Sequence, residues 1–317
     1  MKIVVLDGHA LNPGDLSWRG FEELGSCEVY DRTAADETVR RIAGAEAALT
    51  NKTVIDAAVL DACPGLRYIG VLATGYNVVD VAAARERGIT VTNVPGYSTA
   101  SVAQMVFALL LEICLHAGAH SDAVQAGRWV TSEDYCFWDY PLLDLAGKTL
   151  GIIGLGTIGK AAARIARAFG MTVLAHSRSE NAEGRSLASY VTLDELLARS
   201  DVISLHCPAS PETEGIINKN TLAKTREGVI IINTSRGTLI VEKDLAAALE
   251  SGRVYAAGLD VISAEPMRAD NPLRGAKNCV FTPHIAWATE DSRKRLMETA
   301  VRNLREFIQG RPVNAVT

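Results

Sequence analysis

One stretch, Thr149 to Arg178, constrains the fold of this chain more than any other. It opens on Thr149-Leu150-Gly151-Ile152-Ile153, an apolar run long enough for one buried strand. Gly154-Leu155-Gly156-Thr157-Ile158-Gly159 follows at once, a G-x-G-x-x-G. The next ten residues are Ala-rich, carry apolar side chains at helical spacing and stop at Gly170, a helix-ending position. Met171 to His176 then reads as a second strand. A bare G-x-G-x-x-G says little. Set between strand and helix, with a second strand closing the unit, it reads as a turn that binds the pyrophosphate of a dinucleotide. Gly154 permits the tight turn, Gly156 lets the backbone approach the phosphates, and Gly159 lets the helix pack on the strand. The N–H groups of Thr157, Ile158 and Gly159 open the helix and face the phosphates.

The rest of the chain must accommodate that unit. Its 317 residues allow two domains and a sizeable core. A net charge of −5 points away from nucleic acid or an anionic membrane as the main partner. Cys27, Cys63, Cys114, Cys136, Cys207 and Cys279 form no C-x-x-C pair, so neither a metal site nor a disulfide framework is expected. Free cysteines fit a reducing cytoplasm. Met1 to Asp7 reads as a first strand, too early broken for a secretory segment. The most apolar window, Val102 to Leu115, is interrupted by Gln104 and Glu112 and falls short of a membrane span. It reads as a buried helix, with apolar surface left to pack on a second subunit.

Strand-like and helix-like segments alternate along almost the whole length, which predicts α/β architecture with parallel sheets. In the first part the strands fall at Ile3–Leu6, Glu28–Tyr30, Ala47–Thr50, Tyr68–Val71 and Thr90–Val94. No glycine fingerprint follows the first of them. In the second part six strands are expected: Leu150–Ile153, Thr172–Ala175, Val202–Leu205, Val229–Ile232, Ala256–Leu259 and Cys279–Phe281. A last helix near 289–309 returns to the first domain. The expected organisation is therefore residues 1–98 with 286–317 as one discontinuous domain, and 99–285 as the dinucleotide domain. The loop Tyr135-Cys136-Phe137-Trp138-Asp139-Tyr140-Pro141 is aromatic-rich, and either lines a pocket or seals an interface.

Polar residues that strand propensity does not explain follow four strands of the second part. They are His206-Cys207-Pro208, Asn233-Thr234-Ser235-Arg236-Gly237, Asp260 with Glu265, and Thr282-Pro283-His284-Ile285-Ala286-Trp287. Strand ends of a doubly wound sheet converge on one crevice. An arginine, a carboxylate and a histidine there suit reduction of a 2-oxoacid. The arginine grips the substrate carboxylate, the histidine donates a proton to the carbonyl oxygen, and the carboxylate fixes the imidazole tautomer. Each also has a plainer reading: Arg236 in a surface ion pair, Glu265 as a solvated loop charge, His284 as a structural histidine. In the first part, Thr74-Gly75 follows the fourth strand and is either a plain turn or a set of N–H groups for a small anion.

Gly154-x-Gly-x-x-Gly, Asn233-x-Ser-Arg236-Gly, Gly258-Leu-Asp260-Val-x-x-x-Glu265-Pro266 and Pro283-His284-Ile-Ala-Trp287, in this order, resemble the D-isomer-specific 2-hydroxyacid dehydrogenase family. The resemblance spans nearly the whole chain, with Asn93-Val94-Pro95-Gly96-Tyr97 included. It implies two Rossmann-like domains with the active site in the cleft between them. It implies Arg236, Glu265 and His284 as the catalytic trio. Cys207, Pro208, Thr234, Ser235, Asp260 and Trp287 would lie at the cofactor, with Arg236 and His284. The backbone of Ala73, Thr74 and Gly75 would meet the substrate carboxylate. Ala73-Thr74-Gly75-Tyr76-Asn77 and Phe137-Trp138-Asp139-Tyr140-Pro141 resemble the glycerate dehydrogenase and hydroxypyruvate (glyoxylate) reductase branch. A homodimer is expected on the same ground.

One position departs from the usual pattern. NAD sites carry an acid at the end of the second strand, on the ribose hydroxyls. Here that place holds Ser177, then Arg178. An acid would repel a 2′-phosphate; Ser177 and Arg178 can bind one, so NADP(H) is expected to be preferred over NAD(H). If Arg178 is only a surface residue, either cofactor serves. Two other functions stay open: a dehydrogenase for a bulkier, lactate-like 2-hydroxyacid, and a dinucleotide-sensing regulator that does not turn over.

Overall fold

A computed structural model describes residues 1–317, which divide into two compact units. Unit 1 comprises residues 1–98 and 288–317; unit 2 comprises residues 99–287. The chain thus leaves unit 2 at Ala288 rather than at 286. The reason is local: Asp260 holds the backbone of Ile285 and Ala286, and the Trp287 indole N–H donates to the carbonyl of His284 at 3.0 Å.

Unit 1 is built on β1 (Lys2–Val5), β2 (Ser26–Val29), β3 (Ala47–Thr50), β4 (Tyr68–Val71) and β5 (Thr90–Thr92). They form one parallel sheet in the order β2-β1-β3-β4-β5. Strands β3 and β4 are buried throughout, as expected of strands covered on both faces. Short helices α1 (Arg19–Glu22), α2 (Thr38–Ile42), α3 (Ala57–Ala62) and α4 (Val81–Glu86) connect them. Asp56 and Asp80 cap α3 and α4 by accepting backbone N–H groups of the first turn.

Unit 2 opens with α5 (Thr99–Leu115) and α6 (Ala117–Gln125) and then builds β6 (Thr149–Ile153), α7 (Thr157–Ala168), β7 (Thr172–His176), α8 (Ala182–Leu187), β8 (Ser189–Tyr190) and α9 (Leu193–Arg199). It continues through β9 (Val202–Leu205), α10 (Lys219–Ala223), β10 (Val229–Asn233), α11 (Glu242–Ser251), β11 (Val254–Leu259) and β12 (Cys279–Phe281). The sheet is parallel, in the order β12-β11-β10-β9-β6-β7-β8. It therefore has seven strands where the sequence suggests six. The addition, β8, spans two residues, too short to carry a periodic signal. The order reverses direction between β6 and β9, and ligands of such sheets bind beyond the carboxyl ends at that point.

Helix α5 is not free to serve as a subunit face along its apolar side. Val106, Leu109, Leu110 and Ile113 are buried in the core of unit 2 with Ile230, Ile232 and Ala256. A Cβ on Gly258 of β11 would lie 2.9 Å from Leu109, so helix and strand are in close contact. No single helix is long and apolar enough to cross a membrane. The apolar surface that remains lies after α6. Trp129, Val130, Tyr135, Trp138, Tyr140 and Leu142 are exposed. Several of them border a cavity of about 320 Å³ with His120 and Phe137.

Helix α12 (Glu290–Ile308) belongs to unit 1 and packs on β4, with Phe307 stacked against Tyr68. After it, Val316 N–H donates to Val91 at the edge of β5.

Candidate active site

The glycine turn after β6 separates what the chain needs from what a ligand needs. Gly154 has φ +99°, and a Cβ there would lie 2.5 Å from the backbone N of Cys207. A Cβ on Gly159 would lie 2.4 Å from the carbonyl oxygen of Gly154. Both glycines are demanded by the fold itself. Gly156 is different: its φ of −78° suits any residue, and a Cβ would meet nothing within 4 Å. Nothing in the chain requires glycine there; without a side chain, the turn stays open to the close approach of a bound group. Behind it, Gly159, Ala162, Ala163 and Ala166 are the buried face of α7, small enough to seat the helix on the sheet. The first N–H groups of α7 are left for an anion.

At the end of β7, His176 accepts the Gly154 N–H at 2.8 Å through its carbonyl. Ser177 is partly buried and Arg178 is exposed. Arg178 makes no ion pair within hydrogen-bonding reach, although Glu212 lies near enough to feel its charge. The Ser210 hydroxyl, and to a lesser degree Arg178, hold the Glu212 carboxyl below its ordinary range. Glu212 was not visible as a neighbour in the sequence, being on a distant loop.

Three adjacent strands, β10, β11 and β12, lead into the turns that carry the arginine, the glutamate and the histidine. At the end of β10, Asn233 is fully buried. Its Nδ2–H donates to the carbonyl of Arg236 at 2.8 Å and its Oδ1 accepts the Ser235 N–H at 3.0 Å, so one amide clasps the whole turn. Ser235 Oγ–H donates to the Cys207 carbonyl at 2.6 Å, tying this turn to the loop after β9. Thr234 Oγ1 is buried with no hydrogen-bond partner in the chain, an orphan that a bound ligand would satisfy. A Cβ on Gly237 would fall 1.8 Å from the carbonyl carbon of Ile262, so only glycine lets the β10 turn abut the segment after β11. The Arg236 guanidinium is exposed and donates only to the carbonyl of Ser235, at 2.7 Å; no carboxylate of the chain pairs with it.

Asp260, at the end of β11, is 2% exposed. Its Oδ1 accepts from Thr282 Oγ1 at 2.6 Å and from the Ile285 N–H at 2.9 Å, and its Oδ2 accepts the Ala286 N–H at 3.0 Å. Its carbonyl accepts the His284 N–H at 2.8 Å. These bonds hold His284 at φ +55°, a left-handed conformation costing a non-glycine residue roughly 1–2 kcal/mol. In the structure Asp260 therefore acts on the turn that carries the histidine, a contact the sequence did not reveal. His284 Nδ1 lies 2.6 Å from Glu265 Oε2. Glu265 is steadied by the Ile262 N–H at 3.3 Å, and the loop behind it by Glu242 of α11, which accepts the Ser263 N–H at 2.7 Å.

A second histidine stands at a strand end nearby. His206 Nε2 lies 2.8 Å from Ser204 Oγ, and packed neighbours push the imidazole down to about 4. It is neutral near pH 7 and cannot serve as a proton donor there.

In unit 1, the turn after β4 is similarly ordered. Val94 N–H donates to the Ala73 carbonyl at 2.9 Å, and Asn93 Nδ2–H to the Thr74 carbonyl at 2.7 Å. The N–H groups of Thr74 and Gly75 have no acceptor in the unit.

Comparison with known proteins agrees with this chemistry. Residues 107–286 match the model of the D-isomer specific 2-hydroxyacid dehydrogenase, NAD binding domain. A hydroxypyruvate reductase of Blautia hydrogenotrophica is 59% identical over 100% of this chain and 99% of its own. A glycerate dehydrogenase of Methylorubrum extorquens is 38% identical over 99% and 98%. Among solved structures, an acyclic imino acid reductase in complex with NADPH and D-Arg superposes with a TM-score of 0.86, at 31% identity over 100% of both chains. A glycine turn with room for a pyrophosphate and an arginine, glutamate and histidine on three neighbouring strands accompany that identity over full length. The chain belongs to the D-isomer-specific 2-hydroxyacid dehydrogenase family.

Proposed function

We propose that this enzyme reduces hydroxypyruvate, with glyoxylate as a second substrate, to the D-2-hydroxyacid. The observation that carries this reading is the 2.6 Å contact between His284 and Glu265, one strand over from an arginine with no carboxylate partner. The 59% identical hydroxypyruvate reductase narrows the substrate. When bound, the nicotinamide supplies the hydride. Arg236 pairs with the substrate carboxylate through its planar fork. A hydrogen bond to Glu265 requires the proton on Nδ1, which leaves Nε2 of His284 for the substrate. The charged imidazole gives its Nε2 proton to the carbonyl oxygen; the neutral form takes one back in oxidation. Glu265 keeps the tautomer and the ring orientation. Thr74 and Gly75 offer N–H groups to the carboxylate.

The cofactor is held by Gly154, Gly156, Thr157, Ile158 and Gly159 at the pyrophosphate, with Cys207, Pro208, Thr234, Ser235, Asp260 and Trp287 toward the nicotinamide. Ser177 and Arg178 replace the ribose-binding acid, which favours NADPH over NADH; the NADPH-bound neighbour supports room for that cofactor on this fold. Glu212, near Arg178, works against a 2′-phosphate and limits the preference. A panel of hydroxypyruvate, glyoxylate and pyruvate, run with both cofactors, tests the whole reading. The expected order of kcat/KM puts hydroxypyruvate first and NADPH above NADH. Ser177→Asp is expected to lower the NADPH-to-NADH ratio at least about tenfold, the worth of one charge-assisted contact. A clear NADH preference in the native enzyme would sink the cofactor assignment, and pyruvate as the best substrate would sink the substrate assignment.

The exposed Trp129, Val130, Tyr135, Trp138, Tyr140 and Leu142 supply the apolar surface for a homodimer, in place of α5. Six unpaired cysteines suit the cytoplasm. Light scattering showing the mass of one chain, or recovery with membranes on fractionation, would remove these two assignments.

A further inference from the structure

Unit 1 holds a chain of hydrogen bonds that the reaction does not use directly. It begins at Asp7, just past β1. The Asp7 carboxylate accepts three successive backbone N–H groups, from Asn51 at 2.7 Å, Lys52 at 2.6 Å and Thr53 at 2.7 Å, and the Thr53 hydroxyl at 3.1 Å. Four donors on one carboxylate fix the backbone beyond β3 more firmly than a mere connection requires.

Asn51 passes that order to the next strand. It is 5% exposed, and its Nδ2–H donates to the Leu72 carbonyl at 2.7 Å. The Leu72 N–H donates to the Thr50 carbonyl at 2.8 Å, so the end of β3 grips residue 72 on both sides. On the far side, Val94 and Asn93 bind the carbonyls of Ala73 and Thr74, and the Thr74 hydroxyl donates to the Val94 carbonyl at 2.9 Å. Three successive carbonyls, of Leu72, Ala73 and Thr74, are thus tied back. The N–H groups of Thr74 and Gly75 are left over, and with their carbonyls engaged they form a small anion nest.

We infer that Asn51, anchored by Asp7, is a positioning residue for the turn that receives the substrate carboxylate. This rests on the assignment of Ala73, Thr74 and Gly75 to that carboxylate. Asn51 sets the plane of the Leu72 peptide, and through it the direction of the N–H groups that follow. A buried asparagine that only filled space would affect stability when replaced. A positioning residue changes how well a carboxylate is held, and leaves cofactor binding in unit 2 alone.

Four variants test this: Asn51→Ala, Asp7→Asn, the two combined, and Gly75→Pro, which removes one of the two N–H donors. The readouts are KM and kcat for hydroxypyruvate, Kd for NADPH by fluorescence, and Tm. Asn51→Ala is expected to raise KM about tenfold, the worth of one misdirected hydrogen bond. Its kcat should stay within about twofold, and its NADPH Kd should not move. Asp7→Asn should show the same pattern, and the double variant should be no worse than the larger single, because both act along one path. A native KM in Asn51→Ala, whether or not Tm falls, overturns the proposal. Gly75→Pro separates the two ideas. If it is folded with a native KM, the carboxylate assignment fails and takes this proposal with it. If its KM rises while that of Asn51→Ala does not, the positioning role alone fails.

Discussion

His284→Gln is expected to lower kcat for hydroxypyruvate by about 10²–10⁴-fold, the usual worth of a positioned general acid. NADPH should bind it with nearly native affinity, because the glycine turn and the orphaned Thr234 hydroxyl are untouched. Glutamine can hydrogen-bond but cannot deliver a proton, so the loss falls on the chemical step and KM moves little. Position 284 is left-handed, at φ +55°, which glutamine tolerates less well than histidine does. His284→Asn therefore belongs beside it, since asparagine accepts that backbone and is equally unable to act as the acid. Equal losses in the two variants, with Tm near native, assign the effect to proton transfer. Turnover within about tenfold of native in both would mean that another group donates the proton. It would also revive the reading of this chain as a sensor of its cofactor. His206 follows β9, a strand end near the site, and packed neighbours push its imidazole down to about 4, which makes it a poor donor near neutral pH.

The parts of this site that were legible in the sequence are those whose chemistry is local. Gly154, Gly156 and Gly159 could be read as one strand–turn–helix unit because the three pieces are consecutive, and the structure has that unit. Arg236, Glu265 and His284 stood out as polar residues at strand ends. What could not be read is which side chains hold them. Asn233 clasps its own turn, yet only its complete burial shows that the clasp is its purpose. Asp260 was visible, but as a neighbour of the cofactor; its bonds to Thr282, Ile285 and Ala286 depend on β11 and β12 lying side by side. Gly237 stood in the motif after β10, but its reason, the Ile262 backbone against it, depends on the neighbouring strand. The long-range contact Asp7–Asn51 leaves no periodic trace at all. Helix α5 is buried as its apolar residues suggest, but that they meet the sheet rather than a second subunit depended on the tertiary fold.

Arg236→Ala should cost about 10²–10⁴-fold in kcat/KM, since removing one partner of a desolvated charge pair costs roughly 3–5 kcal/mol. Most of that loss should appear as a raised KM, and competitive inhibition by a simple carboxylate such as oxamate should weaken in parallel. Stability should hardly change. The guanidinium is exposed and donates only to the neighbouring Ser235 carbonyl, so its removal leaves no buried group unpaired. This sets Arg236 apart from Asn233, whose loss would release the turn itself. Arg236→Lys keeps the charge but not the planar fork, and most of the defect should persist. Added guanidinium should restore part of the activity of Arg236→Ala and none of that of Arg236→Lys, where the lysine still fills the space. A native KM and oxamate inhibition in Arg236→Ala would show that the carboxylate is held elsewhere. The chain places a buried asparagine and an obligatory glycine around a side chain that it leaves unpaired. That arrangement orders the arginine's backbone while keeping its charge available, which a structural ion pair would not need.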